Sequence, residues 1–274
     1  MPVFASPAYR VNSPLAKFMQ PLIFTPISDI PLIQPGDDLP AILLEKMAAD
    51  GVKLLDGDIL VLAQKIVSKS ENRLVNLNEV KPSQRAIELG EAAEKDPRLV
   101  ELMLQESRSV LRVRPGTIIV EHRAGFVCAN AGIDHSNVEG RYGKADDWVL
   151  LLPENADESA ARIRSSIESQ TGAKIGVMII DSHGRAWRIG TVGISIGFSG
   201  MPGLVDLRGH QDMFGYTLRV TQVAAADELA GSASLVMGQA DERVPAVHVR
   251  GFPFPLREGK FDELHRPIEL DLFR

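Results

Sequence analysis

The stretch "DGDILVLAQKIVSKSENR", Asp56–Arg73, decides how the rest of the chain is read. Its first residues complete "LDGD", a tight turn whose Asp and Gly suit the backbone angles a reversal needs. A continuous apolar run follows, the pattern of a strand buried on both faces, and a strand is expected through "ILVLAQKIV". Its end is polar. Ser68, Lys69, Ser70 and Glu71 therefore fall beyond the carboxyl end of a strand, where open α/β sheets present ligand-binding groups.

Outward from this point, helix and strand patterns alternate. Leu39, Ile42, Leu43 and Met47 recur at helical spacing and predict a helix from about Asp38 to Ala49. Downstream, "KPSQRAIELGEAAEKDPRLVELMLQESRSVLRV" reads as a helix broken near Pro97 and resumed, and "LRVRPGTIIVEHR" returns to turn and strand. Asn155 with Glu158 makes an N-cap and N3 pair, so a helix should run to about Gln170 and stop at Gly172. Strand "KIGVMII" then delivers Asp181, Ser182 and His183 to a glycine-containing turn. The glycine-rich tract from Gly190 is expected to hold only short strand pieces, before a helix in "AAADELAGSASLVMG" and a strand in "VPAVHVRGF". The fold class is mixed α/β (α+β), with strand order left open.

Composition narrows the function. The chain has 274 residues, 45% apolar and 24% charged, as an ordinary globular protein does. A net charge of -6 without basic runs argues against nucleic acid as a partner. No uninterrupted run of 18 apolar residues is present, so no membrane span is expected, and the opening residues do not resemble a signal peptide. The single cysteine, Cys128, fits a reducing compartment, and the expected location is cytoplasmic. Prolines at positions 2, 7, 14 and 21 suggest an extended arm over residues 1–26.

Oxygen donors stand at three element ends: Asp134 within "CANAGIDHSNVEG", Asp181 and Gln239. Two carboxylates and an amide oxygen, completed by water and phosphate, suit Mg²⁺ or Mn²⁺. One cysteine and scattered histidines make no zinc pattern. There is no "GxxxxGK[ST]" and no well-placed "GxGxxG", so a nucleotide site would use neither a Walker nor a Rossmann scaffold. Each candidate has an ordinary alternative: Asp134 and Asp181 could cap turns, Gln239 could be a surface amide, and Lys69 a solvated lysine. His135 and His183 could act as bases near neutral pH, but no partner is visible in the sequence.

Six ordered blocks carry more than their parts: "IPLIQPGDDL", "DGDILVLAQKIVSKSENR", "CANAGIDHSN", "DSHGRAWRIG", "DLRGHQDMFG" and "VAAADELAGSASLVMGQADERVPAVHVRG". Together, over about residues 27–251, the chain resembles the coenzyme F420-0:L-glutamate ligase family. That resemblance implies a two-lobed, intertwined homodimer that is neither Walker, Rossmann nor ATP-grasp, with residues 252–274 a C-terminal tail. It implies a GTP-dependent ligase that joins L-glutamate to F420-0, and possibly to gamma-glutamyl F420, through an acyl phosphate, releasing GDP and phosphate.

Carried over residue by residue, the resemblance makes Asp134, Asp181, Ser182 and Gln239 cation ligands. It makes Pro31, Leu32, Ile33, Lys69, Asn137, Gly238 and Gln239 nucleotide contacts, and Asp134, Asp181 and Lys69 the residues that promote phosphoryl transfer. Two departures bear on the acceptor. The family block "SDTFGRPWR" reads "IDSHGRAWR" here, with His183 in place of the aromatic, and an acidic residue common near "AIG" is absent around Val192 and Gly193. The competing readings are the same chemistry on another carboxylate-bearing cofactor, or a non-catalytic guanine nucleotide-binding or cofactor-binding protein.

Overall fold

The computed structural model describes residues 20–138 and 140–271. The chain begins with β1 (Ile23–Pro26), α1 (Leu39–Ala49), β2 (Ile59–Ala63), α2 (Gln64–Ser70) and β3 (Leu74–Asn76). Then come α3 (Gln84–Ala93), α4 (Pro97–Gln105), β4 (Ser107–Arg114), β5 (Thr117–His122), β6 (Val127–Ala129) and β7 (Trp148–Leu150). The last part runs α5 (Ala156–Thr171), β8 (Gly176–Arg185), β9 (Arg188–Ser199), β10 (Val205–Asp206), β11 (Gln222–Val223), α6 (Ala225–Met237) and β12 (Ala246–Arg250). The architecture is mixed α/β.

Five strands form the main sheet in the order β1-β12-β2-β8-β9. Only β2 and β8 are parallel; every other neighbouring pair is antiparallel. Ile59, Leu60, Val61 and Leu62 of β2 are fully buried, which is why this strand reads as an unbroken apolar run rather than an alternation. On one face Leu60, Leu62, Val177 and Ile179 pack with Leu43 and Met47 of α1 and Ile163 and Ile167 of α5. On the other, Ile59, Val61, Met178 and Ile180 meet Leu229, Ala230 and Ala233 of α6. Each buried Leu, Ile, Val or Met among them contributes about 1.5–3 kcal/mol by leaving water. At the start of β2, burial alone would raise the Asp58 carboxyl, but His248 and Arg250 of β12 contact it and hold it at about 2.

A second core lies under the sheet β4-β5-β6, where Ala86, Ala93, Val100 and Met103 of α3 and α4 cover Ile118, Val120 and Cys128. Phe126 packs against this core and against both faces' clusters of the main sheet. The break at Pro97 and the helix capped by Asn155 are as expected: the Asn155 Oδ1 accepts from the Glu158 amide at 3.2 Å, and α5 gives way at Gly172. Cys128 is free and buried.

Three expectations need correction. The strand through Val67 ends at Ala63, and Gln64 begins α2, so Ser68, Lys69 and Ser70 lie on a helix. Gln64 and Ser68 fall one turn apart, joined by a 2.8 Å hydrogen bond, while Ile66 and Val67 turn into the core. That helical division of polar and apolar faces is invisible where the local residues are also good strand formers. Next, β8 does not stop at Ile180. It carries Asp181, Ser182 and His183 within a ladder opposite Ile194, Gly193 and Val192, and the turn comes only at Ala186 and Trp187. The glycine-rich tract accordingly opens within one 12-residue strand, β9, and only its later part holds the short pieces expected, the two-residue strands β10 and β11. Finally, the arm expected over residues 1–26 ends in β1, an edge strand paired with β12; residues 1–19 lie outside the described residues.

Candidate active site

The parallel register places Ala63, the last residue of β2, opposite Ile180, so Gln64 follows the carboxyl end of β2 at the level where Asp181 continues β8 beyond its parallel partner. This is the crevice position that open α/β sheets use for ligands. Asp134 arrives from the loop after β6. Its backbone is pinned by a two-way bridge to Leu150, with amide-to-carbonyl distances of 3.0 and 2.9 Å. Gln64 Nε2 donates to Asp134 Oδ2 at 2.6 Å, and Lys65 Nζ lies 3.3 Å from Oδ1. Burial pushes the Asp134 carboxyl above the ordinary carboxylate range; Lys65 pulls it back, and the nearby charge of Asp181 pushes it up again. A buried carboxyl whose ionisation a neighbouring carboxylate disfavours marks a place where a cation is stabilised.

Around this pair the other donors fall into two groups. Ser182 Oγ donates to Gln239 Oε1 at 2.8 Å, and Gln239 Nε2 donates to Ser234 Oγ at 3.0 Å, which ties β8 to the end of α6. Gly238 closes that helix at φ +75°, and a side chain there would run into the Glu242 carboxylate, so the "MGQ" corner requires glycine. On the other side, Lys69 Nζ donates to the Asn137 carbonyl at 2.7 Å, and Lys65 Nζ to Ser136 Oγ at 3.0 Å. The Asn137 amide reaches the Ala240 carbonyl at 3.5 Å, linking this loop to the one after α6.

Asp134, Asp181, Ser182, Gln239, Lys69 and Asn137 thus belong to one neighbourhood of hydrogen bonds and charge built from α2, β8 and two loops. The segment Pro31–Ile33 divides: Ile33 is buried in the core with Ile66 and Val67, while Pro31 and Leu32 are exposed. Sequence reasoning missed Gln64 and Lys65, which hold Asp134. Their signal was the helical spacing of "QKIVSKS", obscured by the strand-like residues between them. Gly193 also gains a physical explanation: a Cβ there would lie 2.6 Å from the Ala230 carbonyl and 2.5 Å from Ser234 Cβ, so α6 leaves no room for an acidic side chain. Cys128 takes no part, since burial pushes its thiol up to about 12.

Among the described residues no group of three or more His, Cys, Asp or Glu side chains could by itself hold a metal ion. The donor set nevertheless fits a hard cation. Mg²⁺ is ordinarily held by one or two carboxylates and completed by substrate phosphates and water, and Asp134 and Asp181 supply such a pair, with the neutral oxygens of Ser182 and Gln239 meeting each other at the next residue of β8.

A family model described as F420-0:Gamma-glutamyl ligase matches residues 28–251. The chain belongs to this ligase family. It is 46% identical over 250 residues to coenzyme F420:L-glutamate ligase of Methanothermobacter thermautotrophicus, covering 90% of this chain and 97% of that one. It is also 46% identical over 255 residues to the Methanopyrus kandleri protein of the same name, again with 90% and 97% coverage. The Methanosarcina mazei relative is 36% identical over 249 residues, with 90% and 93% coverage. Membership of the F420-0:gamma-glutamyl ligase family thus embraces every element that builds the site, from α2 to the corner after α6.

Proposed function

We propose that this chain is a GTP-dependent ligase that forms the amide between F420-0 and L-glutamate, releasing GDP and phosphate. What carries the reading is the meeting of Asp134 and Asp181, with the Ser182–Gln239 contact on the next residue of β8, where β8 runs on past the carboxyl end of β2 in a member of this ligase family. The acceptor carboxylate attacks the γ-phosphorus of GTP and the bond to the bridging oxygen breaks, giving an acyl phosphate and GDP. The amine of glutamate then attacks the activated carbonyl, phosphate leaves, and the amine's proton passes to solvent or a base.

Asp134, Asp181, Ser182 and Gln239 would hold Mg²⁺ or Mn²⁺, which when bound neutralises phosphate oxygens during the transfer. Lys69 and Lys65 supply fixed positive charge on the same side as Asn137 and Ser136, suited to the phosphate chain. Asn137, the exposed Pro31 and Leu32, the backbone of Ile33, and the Gly238–Gln239 corner are assigned to the nucleotide. We place the reaction in the cytoplasm, in keeping with the free thiol of Cys128. The working form is a homodimer whose intertwined contact uses the arm formed by β8 and β9, where Trp187 and Ile189 are 91% and 101% exposed.

GDP release by the purified protein with GTP, Mn²⁺ and L-glutamate, with and without F420-0, tests the reading when coupled to mass analysis of the acceptor. F420-0-dependent turnover with a mass gain of one or more glutamate residues is expected. GTP binding with no turnover on F420-0 would remove the substrate assignment.

A further inference from the structure

His183 stands two residues after Asp181 on β8, so both side chains project from the same face of the strand. Its Nε2 lies 2.9 Å from Asp181 Oδ2, and the two side chains are only 8% and 13% exposed. The backbone beneath them is fixed by the ladder to Ile194 and Val192. Above, the imidazole tilts against Phe126, with ring centres 5.3 Å apart. Phe126 is itself clamped, stacked on His122 at 5.0 Å and met edge-on by Phe261 at 5.7 Å. Phe261 is buried and belongs to the segment beyond residue 251, so chain outside the matched family region braces the ring.

The second nitrogen decides the polarity of the contact. Nδ1 of His183 is buried with no hydrogen-bond partner. A proton there would be an orphan donor while a lone pair on Nε2 faced a carboxylate, which is unfavourable on both sides. With the proton on Nε2 instead, the imidazole donates to Oδ2 and only a weak acceptor goes unmatched.

We propose that His183 is a positioning residue for Asp181, donating from Nε2 to Oδ2 so that the carboxylate plane is fixed and Oδ1 is presented to the cation. The inference rests on the reading of Asp181 as a cation ligand. Hydrogen bonds of this kind to ligating groups typically govern metal affinity by about 10–100-fold. Phenylalanine, the aromatic of the family block, would preserve the packing on Phe126 but cannot donate. Glutamine can place an N–H near the same point.

The test titrates Mn²⁺ into the full chain in the presence of GDP, reading free Mn²⁺ by electron paramagnetic resonance, with circular dichroism to verify the fold of each variant. His183→Phe is expected to weaken Mn²⁺ binding about 10–100-fold, and His183→Gln to restore it close to the wild-type value. Wild-type affinity in His183→Phe, alongside lost affinity in Asp181→Asn, would overturn the positioning role and leave the site reading standing. Equal weakening in the Phe and Gln variants would reduce the role to packing and overturn it too. If Asp181→Asn binds Mn²⁺ as the wild type does, Asp181 is not a ligand, and the site reading falls together with this inference.

Discussion

Asp134 shows how the surroundings of a single side chain set its charge: burial and Asp181 raise its pKa, and Lys65 and Gln64 hold it down. Removing its charge leaves Gln64, Lys65 and the backbone bridge to Leu150 in place, so Asp134→Asn should fold normally. It should lose at least about 100-fold in kcat/KM, roughly 2.7 kcal/mol of transition-state stabilisation. Asp181→Asn is expected to do the same, measured as F420-0-dependent GDP release. At His122 the consequence is one of stability. Its Nδ1 accepts from the Ala124 amide at 3.0 Å, an arrangement that requires the neutral ring. Burial first, and then the positive charges of Arg123, Arg73 and Arg108, pull its pKa from 6.5 down to about 4. The unfolded chain therefore binds more protons than the folded one between those values, and folding free energy falls as pH drops through them. Urea denaturation between pH 7 and pH 4 should show a loss approaching about 3 kcal/mol, and His122→Gln should remove that part of the pH dependence.

Among the elements, α6 matters because it aims Gln239, and it does so by lying directly on β9. Its contact residues are small, Ala230 and Ser234, and Gly193 opposite them has no side chain. Gly193→Ala forces a methyl group to within 2.6 Å of the Ala230 carbonyl, so the helix must shift or the strand must bend. The expected cost is about 1–3 kcal/mol in chemical denaturation, together with a weaker Ser182–Gln239 contact, read as a raised metal requirement for turnover. The elements that carry the site differ in how far the sequence disclosed them. Helix α5 was legible from Asn155, Glu158 and Gly172, since capping is written in local residues. The end of β2 was not, because Gln64 is committed to a helix by its contacts with Ser68 and Asp134, the latter 70 residues away. The extension of β8 through Asp181 and His183 depended likewise on a partner, β9, whose glycines disguise a long strand. Asp134, Asp181 and Gln239 could be suspected from their chemistry and from the resemblance, whereas Lys65, Phe126 and Phe261 acquire meaning only from tertiary contact.

For the whole molecule, the arm formed by β8 and β9 poses the question of what covers it. Toward its tip the ladder leaves the core: Trp187 and Ile189 are almost fully exposed, flanked by Arg185 and Arg188. Two large apolar side chains on a projecting hairpin cost solubility in a monomer, and a second copy of the chain is the occupant that the proposed dimer would supply. Sedimentation velocity at micromolar concentration is expected to show a dimer. Trp187→Glu combined with Ile189→Glu should yield a monomer, because placing charges at a contact between copies brings like charges together and buries them without partners. Both positions face solvent in the isolated chain, so the double variant should retain cooperative unfolding. A wild-type monomer, or a dimer that survives the double substitution, would show that the arm is not the contact between copies. If the variant becomes monomeric and also loses turnover while Mn²⁺ binding persists, the dimer is needed for the acceptor rather than for the metal, and the arm that carries Asp181 then links assembly to chemistry.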